Sequence, residues 1–98
     1  MIMKTFVVKA YYSAERGAHD YSNEWIAGVA TSLDEAKGIE KKALDFLRKE
    51  YKDELDDSEQ NDGVDNLYKD RFYIGAYINE VEVGKFYNEK EANKLKSL

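Results

Sequence analysis

Over Lys4–Tyr12 (KTFVVKAYY) the residues Phe6, Val8, Ala10 and Tyr12 share one parity. That period of two, in a run rich in Val, Phe and Tyr, predicts a β-strand. Glu24–Thr31 predicts a second, with Trp25, Ala27 and Val29 on one face and Ile26, Gly28 and Ala30 on the other. Gly28 marks either a bulge or a close approach of helix to sheet. Ser13–Asn23, with Gly17, His19, Asp20, Ser22 and Asn23, predicts a loop between the two strands.

The period changes at Ser32. Ser32 and Glu35 have the spacing of a capping box, and Asp34 and Glu35 suit the positive end of a helix dipole. Leu33, Ala36, Ile39, Ala43, Leu44, Leu47 and Tyr51 then recur at steps of three and four, predicting an amphipathic helix to about Tyr51. Lys37, Lys41, Lys42, Arg48 and Lys49 mark its solvated side. Residues 53–67 lose all periodicity, are acidic and contain Gly63, and predict a long mobile loop, with or without helix fraying into its start. Strand character returns from Tyr68 to Val83. There Phe72, Ile74, Ala76 and Ile78 alternate with Tyr73, Gly75, Tyr77 and Asn79. The apolar parity shifts at Val81, so a turn or bulge is expected at Asn79–Glu80. Asn88, with Glu91 three residues later, caps a short terminal helix over Glu89–Lys96.

The order is β-β-α-β with a tail helix, an α+β domain. A hairpin followed by a right-handed helical crossover places the strands in spatial order second, first, third. The sheet then has three strands, or four if a further segment pairs, in an antiparallel or mixed arrangement. Phe72, Ile74, Ala76 and Ile78 are the expected partners of Ile39, Ala43 and Leu47. The opposite parity collects Val7, Tyr11, Tyr73 and Tyr77, with Trp25 assigned to the same face. An aromatic face opposite a single helix layer must be covered by the terminal helix, a second copy or a partner.

Ile26–Lys37 (IAGVATSLDEAK) and Phe72–Tyr77 (FYIGAY) resemble a set of small phage and bacterial β-β-α-β proteins. The shared features are a strand ending in Gly-Val, a Ser-x-x-Glu-Ala helix start and a Phe-Tyr-Ile-x-x-Tyr strand. The resemblance implies the fold and a setting among phage or mobile-element accessory proteins. It carries no functional residue, and the acidic segment after Asp53 departs from its pattern.

Composition narrows the chemistry. At 98 residues the chain is a single domain. Leu, Ile, Val and Phe number 22, so eight Tyr, four Phe and one Trp must supply much of the buried area. With no Cys there is no disulfide, no thiol nucleophile and no Cys metal site. No basic-then-apolar leader opens the chain and no apolar run approaches bilayer length, so a cytoplasmic protein without a membrane partner is expected. The net charge of −5 is local: Glu50–Asp70 holds nine acids against Lys52 and Lys69, which leaves the remainder at +2.

That acidic segment fails as an EF-hand. With Gly63 at the sixth position, Ser58 and Gln60 stand where acids are needed and Lys69 replaces the bidentate acid. His19 is the one histidine, so a multi-His metal site is excluded, and no serine stands in a nucleophile-elbow context that would support a Ser–His pair. Three arginines and isolated glycines argue against nucleic-acid binding and phosphate loops. No catalytic residue, metal or cofactor is expected. The leading expectation is a non-enzymatic protein-binding module that occludes a basic surface, as an inhibitor or accessory protein. Its expected contact residues are the acids Asp53, Glu54, Asp56, Asp57, Glu59, Asp62 and Asp65 with the aromatics Tyr11, Trp25, Tyr73 and Tyr77. The alternative is a nucleotide-type ligand held in an aromatic cleft at an oligomer interface, with Lys and Arg on its phosphates. Open sheet edges and an exposed face favour a homodimer.

Overall fold

A computed structural model describes residues 3–16, 19–61, 70–95 and 97–98. β1 (Lys4–Arg16) and β2 (His19–Ala30) form a long antiparallel hairpin. They are followed by α1 (Leu33–Glu50), α2 (Lys52–Asn61), β3 (Asp70–Glu82) and α3 (Glu89–Asn93). The sheet order is β2-β1-β3, and β1 is antiparallel to both neighbours. The α+β architecture and strand order are those the hydrophobic pattern predicts. Extents of 55 × 28 × 17 Å fit one sheet layer and one helix layer.

The hairpin is longer than expected. Ser13–Asn23 was expected to be a loop, yet pairing continues through Ser13↔Ser22, Ala14↔Tyr21 and Arg16↔His19. The alternation of Tyr12 and Ala14 explains this, because Ala14 is buried beside Phe72 in the register. Only 17–18, between the strands, lie outside the described residues.

α1 starts as its sequence requires: Ser32 Oγ accepts from the Glu35 N–H at 3.2 Å. Ala36 and Leu47 are its fully buried residues, and Val8, Ala30, Ala36 and Ile78 form one core cluster with Phe6, Ala27 and Ile39 against it. Tyr51 interrupts the helix for a single residue, while the Tyr51 N–H donates to Leu47 O and the Leu55 N–H to Tyr51 O, each at 3.0 Å. The chain then continues as α2. The expected acidic loop of residues 53–67 is therefore helical through Asn61, and its remainder lies outside the described residues. Asp53 and Glu54 in the first turn complement the helix dipole, and the helix packs on β3 and α1, with Leu55, Leu44 and Ile74 lining one hollow there.

Two further expectations are corrected. β3 pairs with β1 without a break from Asp70 to Glu82, so no turn or bulge interrupts it at Asn79–Glu80. Val81 instead continues the parity of Tyr77 and Asn79. The bulge lies in β2, where the partners jump from Val8↔Gly28 to Lys9↔Ile26 and leave Ala27 as the extra residue. An extra residue reverses the parity of everything before it. Trp25 consequently pairs with Ala10 on the helix side of the sheet, not with the tyrosines of the other face.

The terminal helix is capped by Asn88 Oδ1, which accepts from the Glu91 N–H at 2.8 Å, but α3 spans only five residues and packs against no other named element. The chain returns to the sheet at Ser97, which bridges Asn79, and the Leu98 N–H donates to Ile78 O at 2.9 Å. The described strands number three, with this isolated bridge in place of a fourth.

Candidate protein-binding face

Pairing register places Lys9, Tyr11 and Ser13 of β1 beside Tyr73, Gly75 and Tyr77 of β3, and Glu24 and Ile26 of β2, on the face opposite α1. Among the described residues, no helix covers this part of the sheet, because α1 and α2 lie on the other face and α3 packs on neither.

Small and large residues alternate so that the rings lie along the surface. Gly75 stands opposite Tyr11, and a Cβ there would overlap the Tyr11 ring. The glycine lets that ring lie across β3, 6.3 Å from the Tyr77 ring at 53°. The Tyr77 hydroxyl donates a hydrogen bond to Glu24 Oε1, spanning from β3 past β1 to β2. Beneath this span Lys9 Nζ stands 5.9 Å from the Tyr77 ring centroid, within cation–π reach. Burial, and then the Glu24 carboxylate, push the Tyr77 hydroxyl up to about 12, so it remains a protonated donor at neutral pH. Tyr73 continues the row and is 43% exposed.

The other aromatics gather on the helix side. Tyr12 stacks on Phe72 at 5.7 Å and 18°, and meets Tyr51 at 4.9 Å, Tyr21 at 6.0 Å and Trp25 at 6.2 Å. Burial, with Tyr12 beside it, raises the Tyr51 hydroxyl above its ordinary value.

The structure thus brings Tyr11, Tyr73 and Tyr77 together and moves Trp25 to the opposite side. Asp53, Glu54 and Asp56 sit on α2, which packs on β3 with Leu55 and Ile74 lining one hollow on the helix side, so these acids do not share a face with the tyrosines. Asp57 and Glu59 belong to the same helix, while Asp62 and Asp65 lie outside the described residues. Asp56 holds Lys52 at 2.7 Å, which raises the Lys52 ammonium's pKa. Lys9, Glu24 and Gly75 were missed as members of the face. Their signal was present in the alternation of β1 and β3, but the Glu24 contact depends on a register that spacing alone does not supply.

Among the described residues, no three His, Cys, Asp or Glu side chains are placed to hold a metal, and no helix is long and apolar enough to cross a membrane. Comparison with protein-family models, with curated proteins and with solved structures finds no match for this chain.

Proposed function

We propose that the protein is a non-enzymatic protein-binding module whose contact surface is the tyrosine face of the sheet. The observation that carries this reading is the row Tyr11, Tyr73 and Tyr77 on a face that no described helix covers, with two of its rings held in place by Gly75 and Glu24. Tyrosines fixed before binding lose little side-chain entropy on association and supply large amphipathic contact areas. The acidic helix α2 flanks β3 on the other side. A basic partner gripping the β3 edge would meet Tyr73 on one side and the α2 carboxylates on the other, and those carboxylates would raise its rate of encounter. Occlusion of a basic surface, as by an inhibitor or accessory protein of a phage or mobile element, is the biological form this reading takes.

A photo-cross-linking side chain at Tyr73 tests the proposal in the native host, with the same group at exposed Lys41 of α1 as the control position. The expected result is one dominant adduct from position 73 that weakens with added salt and is absent from position 41. Equal labelling from both positions, or none from position 73, would remove the face from the function.

A further inference from the structure

A second surface lies on the other side of the sheet and does not depend on the tyrosine face. Among the described residues, β1 is the one strand that pairs with β2, so over Glu24–Gly28 the outer edge of β2 is open to a further strand. The outer edge of β3 differs, because the chain's own Ser97 and Leu98 meet it at Ile78–Asn79. Beside the free edge runs a groove of about 360 Å³ between β2 and α1, walled by Trp25, Ala27, Ile39, Ala43 and Phe46.

Two local features make the groove. Gly28 lets α1 come down on β2, since a Cβ there would lie 2.9 Å from Ile39 Cγ2. That contact closes one end. The bulge at Ala27 turns Trp25 to the helix side, where its ring becomes a wall. Ile39, Lys42, Ala43 and Phe46, at helical spacing, form the facing wall. The groove is not filled from within: Phe46 is 54% exposed, and Ile26 at the strand edge is 62% exposed. Among the described lining residues Lys42 is the one charged group.

We propose that this groove receives an extended peptide segment of a partner protein. The segment adds to the edge of β2 as a fourth strand, sets an apolar side chain between Trp25 and Phe46, and places a carboxylate against Lys42. Main-chain pairing supplies affinity, and the pocket and the ammonium supply selectivity. Charge selects this occupant over a second copy of the chain. A symmetric β2–β2 pair would bring two Lys42 ammoniums to one apolar trough and oppose two bulged edges, whereas a peptide carrying Asp or Glu neutralises the lysine and adapts to the bulge.

The test is selection of displayed random heptapeptides on the full chain and on Lys42→Glu, with circular dichroism confirming that each variant is folded. The wild-type protein is expected to enrich an apolar residue next to Asp or Glu, and Lys42→Glu to enrich Lys or Arg at that acidic position. The enriched wild-type peptide should lose about tenfold in affinity for Phe46→Ser, whose exposed ring can be removed without opening the core. It should also shift the amide resonances of Glu24–Gly28. The proposal is overturned by the absence of an enriched motif, by a motif unchanged in Lys42→Glu, by shifts confined to the Tyr73 face, or by light scattering that shows a dimer with β2 edge amides already protected. A negative result here would leave the tyrosine face untouched, because the cross-linker at Tyr73 reads the opposite surface.

Discussion

Tyr11 and Tyr12 are neighbours in β1, and the pleat sends them to opposite faces of the sheet. Tyr12 is embedded among Tyr21, Trp25, Tyr51 and Phe72 beneath the α1–α2 junction. Tyr11 lies over Gly75 beside Tyr77, on the side that carries no described helix. Both faces are aromatic, but different forces order them. On the helix side rings are held by other rings and by burial. On the open side they are held by the absence of a side chain at Gly75 and by the Tyr77–Glu24 hydrogen bond, so they keep their positions without being sealed. One residue type thus packs among other rings on one face and lies along an uncovered surface on the other.

Adjacent substitutions in β3 give the largest contrast. Phe72 is 6% exposed and stacks on Tyr12, so Phe72→Ala should cost about 3–5 kcal/mol in urea unfolding. Tyr73→Ala, one residue on but on the open face, should cost less than about 1 kcal/mol. A similar loss for both would erase the distinction between the faces.

The two tight glycines separate the faces next. Gly28→Ala drives a Cβ against the branched, half-buried Ile39 and should destabilise by about 1–3 kcal/mol. At Gly75→Ala the atoms nearest the new Cβ are the far end of the Tyr11 side chain, which can swing outward. Its stability should change little, while the Tyr11–Tyr77 ring contacts seen by NMR are lost.

Legibility in the sequence divides along the same line. The Ser32 cap, the α1 stripe, the strand order and the row Tyr11, Tyr73 and Tyr77 follow from periodicity, because each repeats a local rule over several residues. Trp25 does not, because a single extra residue at Ala27 reverses its parity and only Gly28 hints at the disturbance. α2 was masked by its acidity: Leu55 is the one apolar residue in Lys52–Asn61, too few to make a stripe, and packing of the helix on β3 and α1 supplies what the pattern lacks. The ends of β1 and β2 were masked by Ser13, Ser22 and Asn23, polar residues on strands whose pairing, not whose hydrophobicity, keeps them extended. The Tyr77–Glu24 bond joins residues 53 positions apart and needs the register itself.

Smaller effects belong to that bond. Tyr77→Phe should cost about 1 kcal/mol at neutral pH. It should also change the pH dependence. The hydroxyl's ordinary value of 10.0 is raised to about 12 in the fold, so its contribution is complete below pH 10 and is lost as pH rises towards 12. The difference in stability between the wild type and Tyr77→Phe should shrink across that window, as followed by chemical denaturation at pH 9, 10, 11 and 12. A difference that stays constant would place the Tyr77 hydroxyl away from Glu24.

The contrast between Phe72 and Tyr12, packed in the ring cluster under the helices, and Tyr73, exposed on the uncovered face, can be read by NMR on ring-labelled protein with a soluble paramagnetic probe. At concentrations where the chain is monomeric, Tyr73 ring protons should relax strongly, those of Tyr12 and Phe72 weakly, and the Trp25 ring should show contacts to Tyr12 but not to Tyr11 or Tyr77. Tyr73 protons as protected as those of Tyr12, or a Trp25 ring in contact with Tyr77, would contradict the account.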